Sequence, residues 1–247
     1  MVTRKGGSNF PSLLDSCVLW APLQHSAGVS GDIDEFPIIP SGVTVTNNGT
    51  FTKSSLGNNK SVLNFDGLTN YISLTDNDAW NIWNGDFTIA GWIYPKNSTA
   101  INFIFGQISA DTTQYWDARI TVNTGAVVIM GVNAGTERFR YGSTVSFSLN
   151  TWYHFVYQRS GTACLIYING VPQTVATVTV WNGTLDVTAP LRIGEFNTQY
   201  ANCNFKDLMI FKGRVLTQPE IKLLMNRTHP ITGAGLIDTG RYWRLTS

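Results

Sequence analysis

The sequence has few charged residues, and the positive ones do not cluster. Only 13% of its 247 residues are Asp, Glu, Lys or Arg, and the formal net charge is +1. Nucleic-acid binding requires a clustered cationic surface, whereas the Lys and Arg residues here are spread along the chain. The composition therefore gives no electrostatic reason to expect a nucleic-acid partner.

Cysteine and histidine are also scarce, with three residues of each. The chain has no Cys-x-x-Cys, no Cys/His metal spacing, no HExxH and no GxSxG, so these patterns indicate neither a disulfide framework nor zinc or serine chemistry. Cys164 follows strand periodicity, which is typical of a small buried hydrophobe. His154 lies in mid-strand, and we interpret it as a hydrogen-bonded packing residue.

The chain contains no long uninterrupted apolar run. In its first segment, MVTRKGGSNFPSLLDSCVLWAPL, the apolar stretch is interrupted by Asp15 and Pro22. This pattern predicts neither a signal peptide nor a membrane anchor. We therefore expect a protein that is made in a cytoplasm and that reaches a virion or extracellular surface, if it leaves, by another route.

Aromatic residues, at 12%, and short alternating runs are abundant. A dozen such runs separated by turn signals between residues 43 and 211 predict an all-β protein. Asn-Gly pairs at 48–49, 84–85, 169–170 and 182–183 favour tight hairpins, because both turn positions require positive φ. The clearest of these is Asn169-Gly170.

The segment 150–171, NTWYHFVYQRSGTACLIYINGV, is apolar on both faces of its first strand. One alternating set is Tyr153, Phe155 and Tyr157, and the other includes Val156. Alternation alone does not decide which set faces the core. For the second face we expect a structural cover rather than a ligand groove, because apolar surface is more often packed than used for recognition.

The segment LTQPEIKLLMNR predicts a single short helix near the C-terminal end. Thr217 and Glu220 form a capping-box pattern, and Pro219 falls in the first turn. Ile221, Leu224 and Met225 share one face. We expect this helix to dock on the β-structure.

Five segments in order, SVLNFDGLTNYISL, NGDFTIAGWIYP, NTWYHFVYQRSGTACLIYINGV, LRIGEF and FKDLMIFKGRVLTQPEI, resemble the laminin-G-like, concanavalin A-like jelly-roll domains of bacteria and phages. The resemblance covers residues 13–228. It implies a two-sheet antiparallel jelly-roll β-sandwich with one short C-terminal helix. Residues 1–12 and 229–247 are then an N-terminal and a C-terminal arm.

The resemblance also implies candidate binding residues. Members of this fold stack exposed loop aromatics on sugar rings, which carries over to Tyr115, Trp116 and Tyr200, with Asn197 as a hydrogen-bond partner. Pentraxin-like relatives hold Ca²⁺ at the sandwich edge with oxygen ligands, which carries over to Asp111, Glu195 and Asn197. This chain has fewer acidic residues there than pentraxins, and turn formation explains the same residues equally well.

Glycosidases of this fold carry paired acids on one strand, because hydrolysis with retention needs two carboxyl groups about 5 Å apart. None of the four glutamates belongs to such a motif. The nearest pattern is Asp32 and Asp34 in GDIDEF, which reads as a solvated turn.

We therefore expect a non-catalytic binding or assembly protein. The leading hypothesis is a virion-associated decoration, fibre or tail protein, with its arms contacting neighbouring subunits or virion proteins and its outer loops recognising surface glycans. The alternatives are a free carbohydrate-binding lectin, calcium-dependent or not, and a glycoside hydrolase of the same fold.

Overall fold

The computed structural model describes residues 13–26, 36–57 and 60–232, and most of them form two antiparallel β-sheets. The first strands are β1 (Cys17–Ala21), β2 (Gln24–Ser26), β3 (Val45–Asn48), β4 (Thr52–Gly57), β5 (Lys60–Asp66), β6 (Tyr71–Leu74), β7 (Phe87–Pro95), β8 (Ile101–Ile108), β9 (Tyr115–Thr121) and β10 (Ala126–Asn133). They are followed by β11 (Thr136–Thr144), β12 (Tyr153–Ser160), β13 (Ala163–Ile168), β14 (Val171–Pro172), β15 (Ala176–Thr179), β16 (Leu191–Ile193), β17 (Glu195–Phe196), β18 (Gln199–Tyr200) and β19 (Asn202–Lys212). A short 3-10 helix covers Asp78–Trp80, and the helix α1 covers Gln218–Thr228.

The two sheets differ in composition and order. Within the described residues, sheet A has the order β14-β13-β12-β7-β19-β5-β2, with β1 added on β19 and β4 on β5. Sheet B has the order β15-β11-β10-β9-β8-β16-β6-β3, and β17 and β18 form a separate hairpin. This is the predicted all-β, two-sheet jelly-roll sandwich with one short helix.

The main core lies between the two sheets. Phe155 and Tyr157 of β12 point into it together with Trp116 of β9, and all three are fully buried. Tyr157 donates a hydrogen bond of 2.9 Å to the carbonyl of Arg119, which ties sheet A to sheet B across the core. The set that contains Phe155 and Tyr157 therefore faces the core. Alternation in the sequence had not decided between the two sets.

Part of the outer face of sheet A is covered by α1. Val156 of β12 belongs to a second apolar cluster in which Met209 and Phe211 of β19 pack against Ile221 and Leu224 of the helix. The expected structural cover is confirmed, and it explains why β12 is apolar on both faces. A strand between two packed layers has no solvent-facing side to carry polar residues.

The helix is held at both ends. At its start, Thr217 and Glu220 form the predicted capping box. At its end, the Thr228 hydroxyl accepts a hydrogen bond of 2.8 Å from the Trp92 indole, and the Thr228 carbonyl accepts one of 3.1 Å from Lys206. Lys206 also forms a buried ion pair with Asp207. The helix therefore cannot leave sheet A without exposing or breaking these polar contacts.

His154 packs beneath the end of this helix, against the Trp92 ring at a centroid distance of 5.1 Å. It is a packing residue, as expected, but the expectation of a hydrogen bond is wrong, because neither ring nitrogen has a partner within the described part of the chain. Complete burial lowers the pKa of His154 to about 3, because the charged form has lost its hydration.

The Asn-Gly turns are confirmed at one of four positions. Asn169 and Gly170 both have positive φ, 51° and 72°, and connect β13 to β14. At the other three pairs the asparagine does not have positive φ. Those pairs lie in longer connections, whose geometry a dipeptide does not determine.

The two arms fall almost entirely outside the described residues, so the structure does not test the predicted boundaries at 12 and 229. Within residues 13–26, 36–57 and 60–232, no helix has the length and apolar character needed to cross a membrane.

Replacing His154 by Leu should reduce the loss of folding stability that the wild type shows as the pH falls below 6.5. The folded-state pKa lies below the unfolded value of 6.5, so the unfolded state takes up the proton first as the pH falls. The stability that depends on neutral His154 is therefore complete above pH 6.5 and is lost towards pH 3, with a loss of about 3 kcal/mol at pH 4.5.

Thermal or denaturant unfolding at pH 7.5 and 4.5 measures this effect. His154→Leu should lose less stability on acidification than the wild type. Val156→Ala, on the same face of the same strand, should lower stability equally at both pH values. An unchanged pH dependence in His154→Leu would contradict the assignment.

Candidate functional site

The hairpin formed by β17 and β18 lies on the outer face of sheet B. Its two turn residues, Asn197 and Thr198, have φ of 48° and 63° and pair Phe196 with Gln199. Gly106 of β8 makes room for it, because a Cβ at that position would lie 2.7 Å from the Phe196 ring. The hairpin therefore packs directly on β8.

Aromatic rings surround this hairpin at both ends. Phe196 stacks on Phe103 with a centroid distance of 5.1 Å and lies 5.6 Å from the Tyr115 ring. At the other end, the rings of Tyr200 and Tyr71 are 6.2 Å apart. These contacts hold each ring against the protein and leave Tyr115 and Tyr200 partly exposed.

Charged residues of opposite sign pair on the same face. Glu195 of the hairpin forms an ion pair with Arg192, and Asp117 forms one with Arg119. Strand register places Arg192 beside Gly106, and Gly106 beside Asp117, so the two pairs are neighbours across β16, β8 and β9. Each of these two acids is therefore paired with an arginine.

Asp117 is the unusual member of this face. Its side chain is fully buried, and its Oδ2 atom has no hydrogen-bond partner although Oδ1 contacts Arg119. Burial raises the pKa of Asp117 to about 6, an effect that the Arg119 charge only partly opposes. A buried carboxylate with one unpaired oxygen destabilises the folded state when it is ionised.

A shallow depression of about 410 Å³ lies at the end of the sandwich where β18 meets the start of β8 and β19. We call it the end depression. Its lining combines amide and hydroxyl groups with one aromatic ring and a few small or apolar residues. The lining residues are Gly67, Asn97, Thr99, Ala100, Ile101, Thr198, Gln199, Tyr200 and Asn202. None of these side chains is charged.

A second depression, of about 680 Å³, lies along β10, β11 and the segment 173–176. Its lining is less polar and includes Ala126, Val128, Arg140, Gly142 and Gln173. The two depressions give the outer surface two concave regions of different chemistry.

The structure brings some of the predicted sugar-contact residues together. Tyr115 contacts Phe196, the neighbour of Asn197, so the two predicted loops do lie close to each other. Tyr200 lines the end depression. The prediction of Trp116 as an exposed loop aromatic is wrong, because it lies in β9 and is fully buried. Its indole donates a hydrogen bond of 2.7 Å to Gln107, so it cannot stack on a ligand.

The predicted calcium ligands do not fit a metal site in this structure. Glu195 is buried, with one oxygen paired to Arg192 and the other accepting a hydrogen bond of 2.6 Å from the Thr198 amide. Asp111 accepts hydrogen bonds from Ser109 and Thr113 within its own turn, and Asn197 is a turn residue with positive φ. Across the described ranges, no group of three or more His, Cys, Asp or Glu residues could hold a metal ion.

Sequence reasoning missed most of the end depression. Asn97, Thr99, Gln199 and Asn202 come from separate segments that meet only in the fold. Asp117 could have been recognised from the sequence. Side chains of YWDARIT alternate between the two faces of a strand, so Asp117 and the buried Trp116 point to opposite faces. The acid pair Asp32 and Asp34 lies outside the described residues.

A family model described as the concanavalin A-like lectin/glucanases superfamily matches residues 65–222. The chain belongs to this superfamily. The order and pairing of the strands agree with the fold that the resemblance implied. Comparison with curated proteins finds no match.

Solved structures of the superfamily fold include several binding domains. The binding domain of Paraclostridial Mosquitocidal Protein 1 is 17% identical with a TM-score of 0.63, covering 87% of this chain and 52% of that one. The botulinum neurotoxin serotype C1 binding domain is 17% identical with a TM-score of 0.61 and the same two coverages. This chain thus spans about half the length of those toxin domains.

Domain 4 of AbnA, a GH43 extracellular arabinanase from Geobacillus stearothermophilus, was solved in complex with arabinotriose. It is 18% identical with a TM-score of 0.53, and the match covers 74% of this chain and 87% of that domain. At these identities the likeness shows the fold alone.

Replacing Asp117 by Asn should remove a loss of stability that the wild type shows as the pH rises. The folded-state pKa of about 6 lies above the usual 3.8, so the contribution of Asp117 is complete below pH 3.8 and is lost as the pH rises through 6. Between pH 4 and 7 this amounts to about 2 kcal/mol.

Unfolding free energies of the wild type and Asp117→Asn, measured at both pH values, test this. The exposed Asp111 is the control: hydrogen bonds from Ser109 and Thr113 lower its pKa, so Asp111→Asn should not reproduce the effect. Parallel pH profiles for the wild type and Asp117→Asn would rule out an ionisation of Asp117 in this range.

Proposed function

We propose that this protein is a non-catalytic, lectin-like binding module that contacts a glycan in the end depression. The observation that carries the proposal is the chemistry of its wall. Amide and hydroxyl groups can donate and accept hydrogen bonds, as sugar hydroxyls do, and the lining itself carries no charged side chain.

Tyr200 supplies the apolar contact that a sugar ring requires. Its ring is partly exposed and rests against Tyr71, which limits the conformational freedom that binding would otherwise remove. Gln199 is exposed next to it, so ring stacking and hydrogen bonding are available within two residues.

A binding role is favoured over hydrolysis by the placement of the acids. The linings of the two depressions contain no Asp or Glu. On the outer face of sheet B, Asp117 and Glu195 are buried and paired with arginines, whereas glycoside hydrolysis needs two carboxyl groups facing the scissile bond. The AbnA domain in complex with arabinotriose supports a sugar as the ligand class, by analogy of fold.

Alanine substitutions that remove one glutamine amide from each depression test the proposal. After a glycan array of neutral and acidic oligosaccharides identifies a ligand, calorimetric titration should show that Gln199→Ala weakens binding about three- to ten-fold, as the loss of one hydrogen bond predicts. Tyr200→Ala should weaken it by about ten-fold or more, whereas Tyr200→Phe should retain most of the affinity.

Gln173→Ala is the control, because Gln173 lines the second depression. Loss of binding in Gln173→Ala but not in Gln199→Ala would move the site to that depression. An array without any bound glycan would overturn the proposal.

We also propose that the module works within a virion or another surface assembly, with the segments 1–12 and 229–247 contacting neighbouring subunits or virion proteins. The support is in the sequence, where both segments are irregular and glycine-bearing. Deleting residues 230–247 should abolish incorporation into the assembly and leave a folded sandwich by circular dichroism. A truncated protein that is incorporated normally would contradict this role.

A further inference from the structure

The part of sheet A that α1 does not cover carries a second row of residues suited to a sugar. Strand register aligns Tyr94 of β7, Asn204 of β19, Asn64 of β5 and Thr52 of β4 on the outer face. Trp152 precedes β12 at the other end, with its ring 5.3 Å from that of Tyr94. At a strand spacing of about 4.8 Å, the row is about 19 Å long.

Lys96 lies over this row. It follows Tyr94 by two residues, and its ammonium donates hydrogen bonds to the Asn64 side-chain oxygen and, at 2.9 Å, to the carbonyl of Phe65. Both acceptors belong to β5, so the lysine side chain crosses β19 to reach them, which explains why Asn204 beneath it is only 4% exposed.

The charge of Lys96 has no carboxylate partner among the described residues. Its two acceptors are neutral, and no salt bridge includes it. Asp66, whose charge acts on Lys96, accepts hydrogen bonds from Leu68 and Thr69 in its own turn. Burial lowers the pKa of Lys96, and the negative charge of Asp66 opposes that shift only in part. A half-buried ammonium with three N–H groups and two neutral acceptors can still bind an anion.

Asn204 provides an independent observation. Its amide oxygen is buried and has no hydrogen-bond partner among the residues that the structure describes, although the residue is surrounded by the polar row. A buried polar atom without a partner costs free energy, and such atoms are often explained by a ligand or a functional role.

The row continues into the end depression. Asn202, which lines that depression, is two residues before Asn204 on the same face of β19, and Asn97 directly follows Lys96. A glycan seated in the end depression therefore meets Lys96 if it extends across sheet A.

We propose that this row binds a carboxylated sugar, with the sugar carboxylate on the Lys96 ammonium, its hydroxyls on the Asn64 amide and, once Lys96 turns towards the carboxylate and uncovers it, on the Asn204 amide, and a ring face on Trp152. The proposal rests on the proposed glycan-binding function and names the class of sugar. Two sources share this chemistry, uronic acids and sialic acids.

The test compares each acidic ligand with a neutral counterpart by calorimetric titration: trigalacturonate with its methyl ester, and sialyllactose with its methyl ester. In the wild type, one acidic ligand should bind about ten-fold or more tightly than its counterpart, because a charge-assisted hydrogen bond is lost in the latter. The pair that shows the difference identifies the source.

Lys96→Met keeps the aliphatic side chain and should remove this preference without weakening the neutral ligand, and Lys96→Arg should retain it. Lys222→Met, at an exposed position of α1, is the control and should bind as the wild type does. Trp152→Ala should weaken the acidic and the neutral ligand to the same extent.

The outcomes separate the two proposals. Equal binding of acidic and neutral ligands, or an acid preference that survives in Lys96→Met, overturns the inference while the glycan-binding function stands. Failure of all four ligands, together with an array without hits, overturns both.

Discussion

The structure depends on burying both faces of sheet A. Its inner face packs against sheet B through residues such as Phe155 and Tyr157, and its outer face packs against α1 through Val156 and Met209. Because each layer covers apolar surface that water would otherwise meet, the central strands have little freedom to shift register. What remains for recognition is the outer face of sheet B, the end of the sandwich, and the part of sheet A beyond the helix.

The fold was predictable because its signals are local. Alternation identified most strands, Asn169-Gly170 identified one hairpin, and Thr217 with Glu220 identified the start of α1. The inward set of β12 was not predictable, because both sets are apolar and only the position of α1 distinguishes them. Turn formation was predicted as one explanation of Asn197, but the tight turn at Asn197-Thr198 was not, because two consecutive non-glycine residues with positive φ are uncommon and give no sequence signal.

The candidate site was much less predictable than the fold. Tyr200 was selected as an aromatic flanked by amides and does line the end depression, but Trp116 was selected on the same grounds and is buried in the core. When the strand boundary is unknown, the neighbouring residues do not indicate whether a side chain faces the core or the solvent. Lys96, Asn204 and Trp152 come together only through the pairing of β12, β7 and β19, which is long-range information.

The attachment of α1 has a consequence for how the domain opens. The Gln158 amide donates a hydrogen bond of 2.8 Å to the Leu216 carbonyl just before the helix, and Trp92 and Lys206 bond to Thr228 at its end. A helix of eleven residues is marginal alone, so it persists only while the central strands of sheet A are intact. The helix and those strands therefore form one cooperative unit, and we expect the helix amides to exchange with solvent deuterium as slowly as those of β7 and β19.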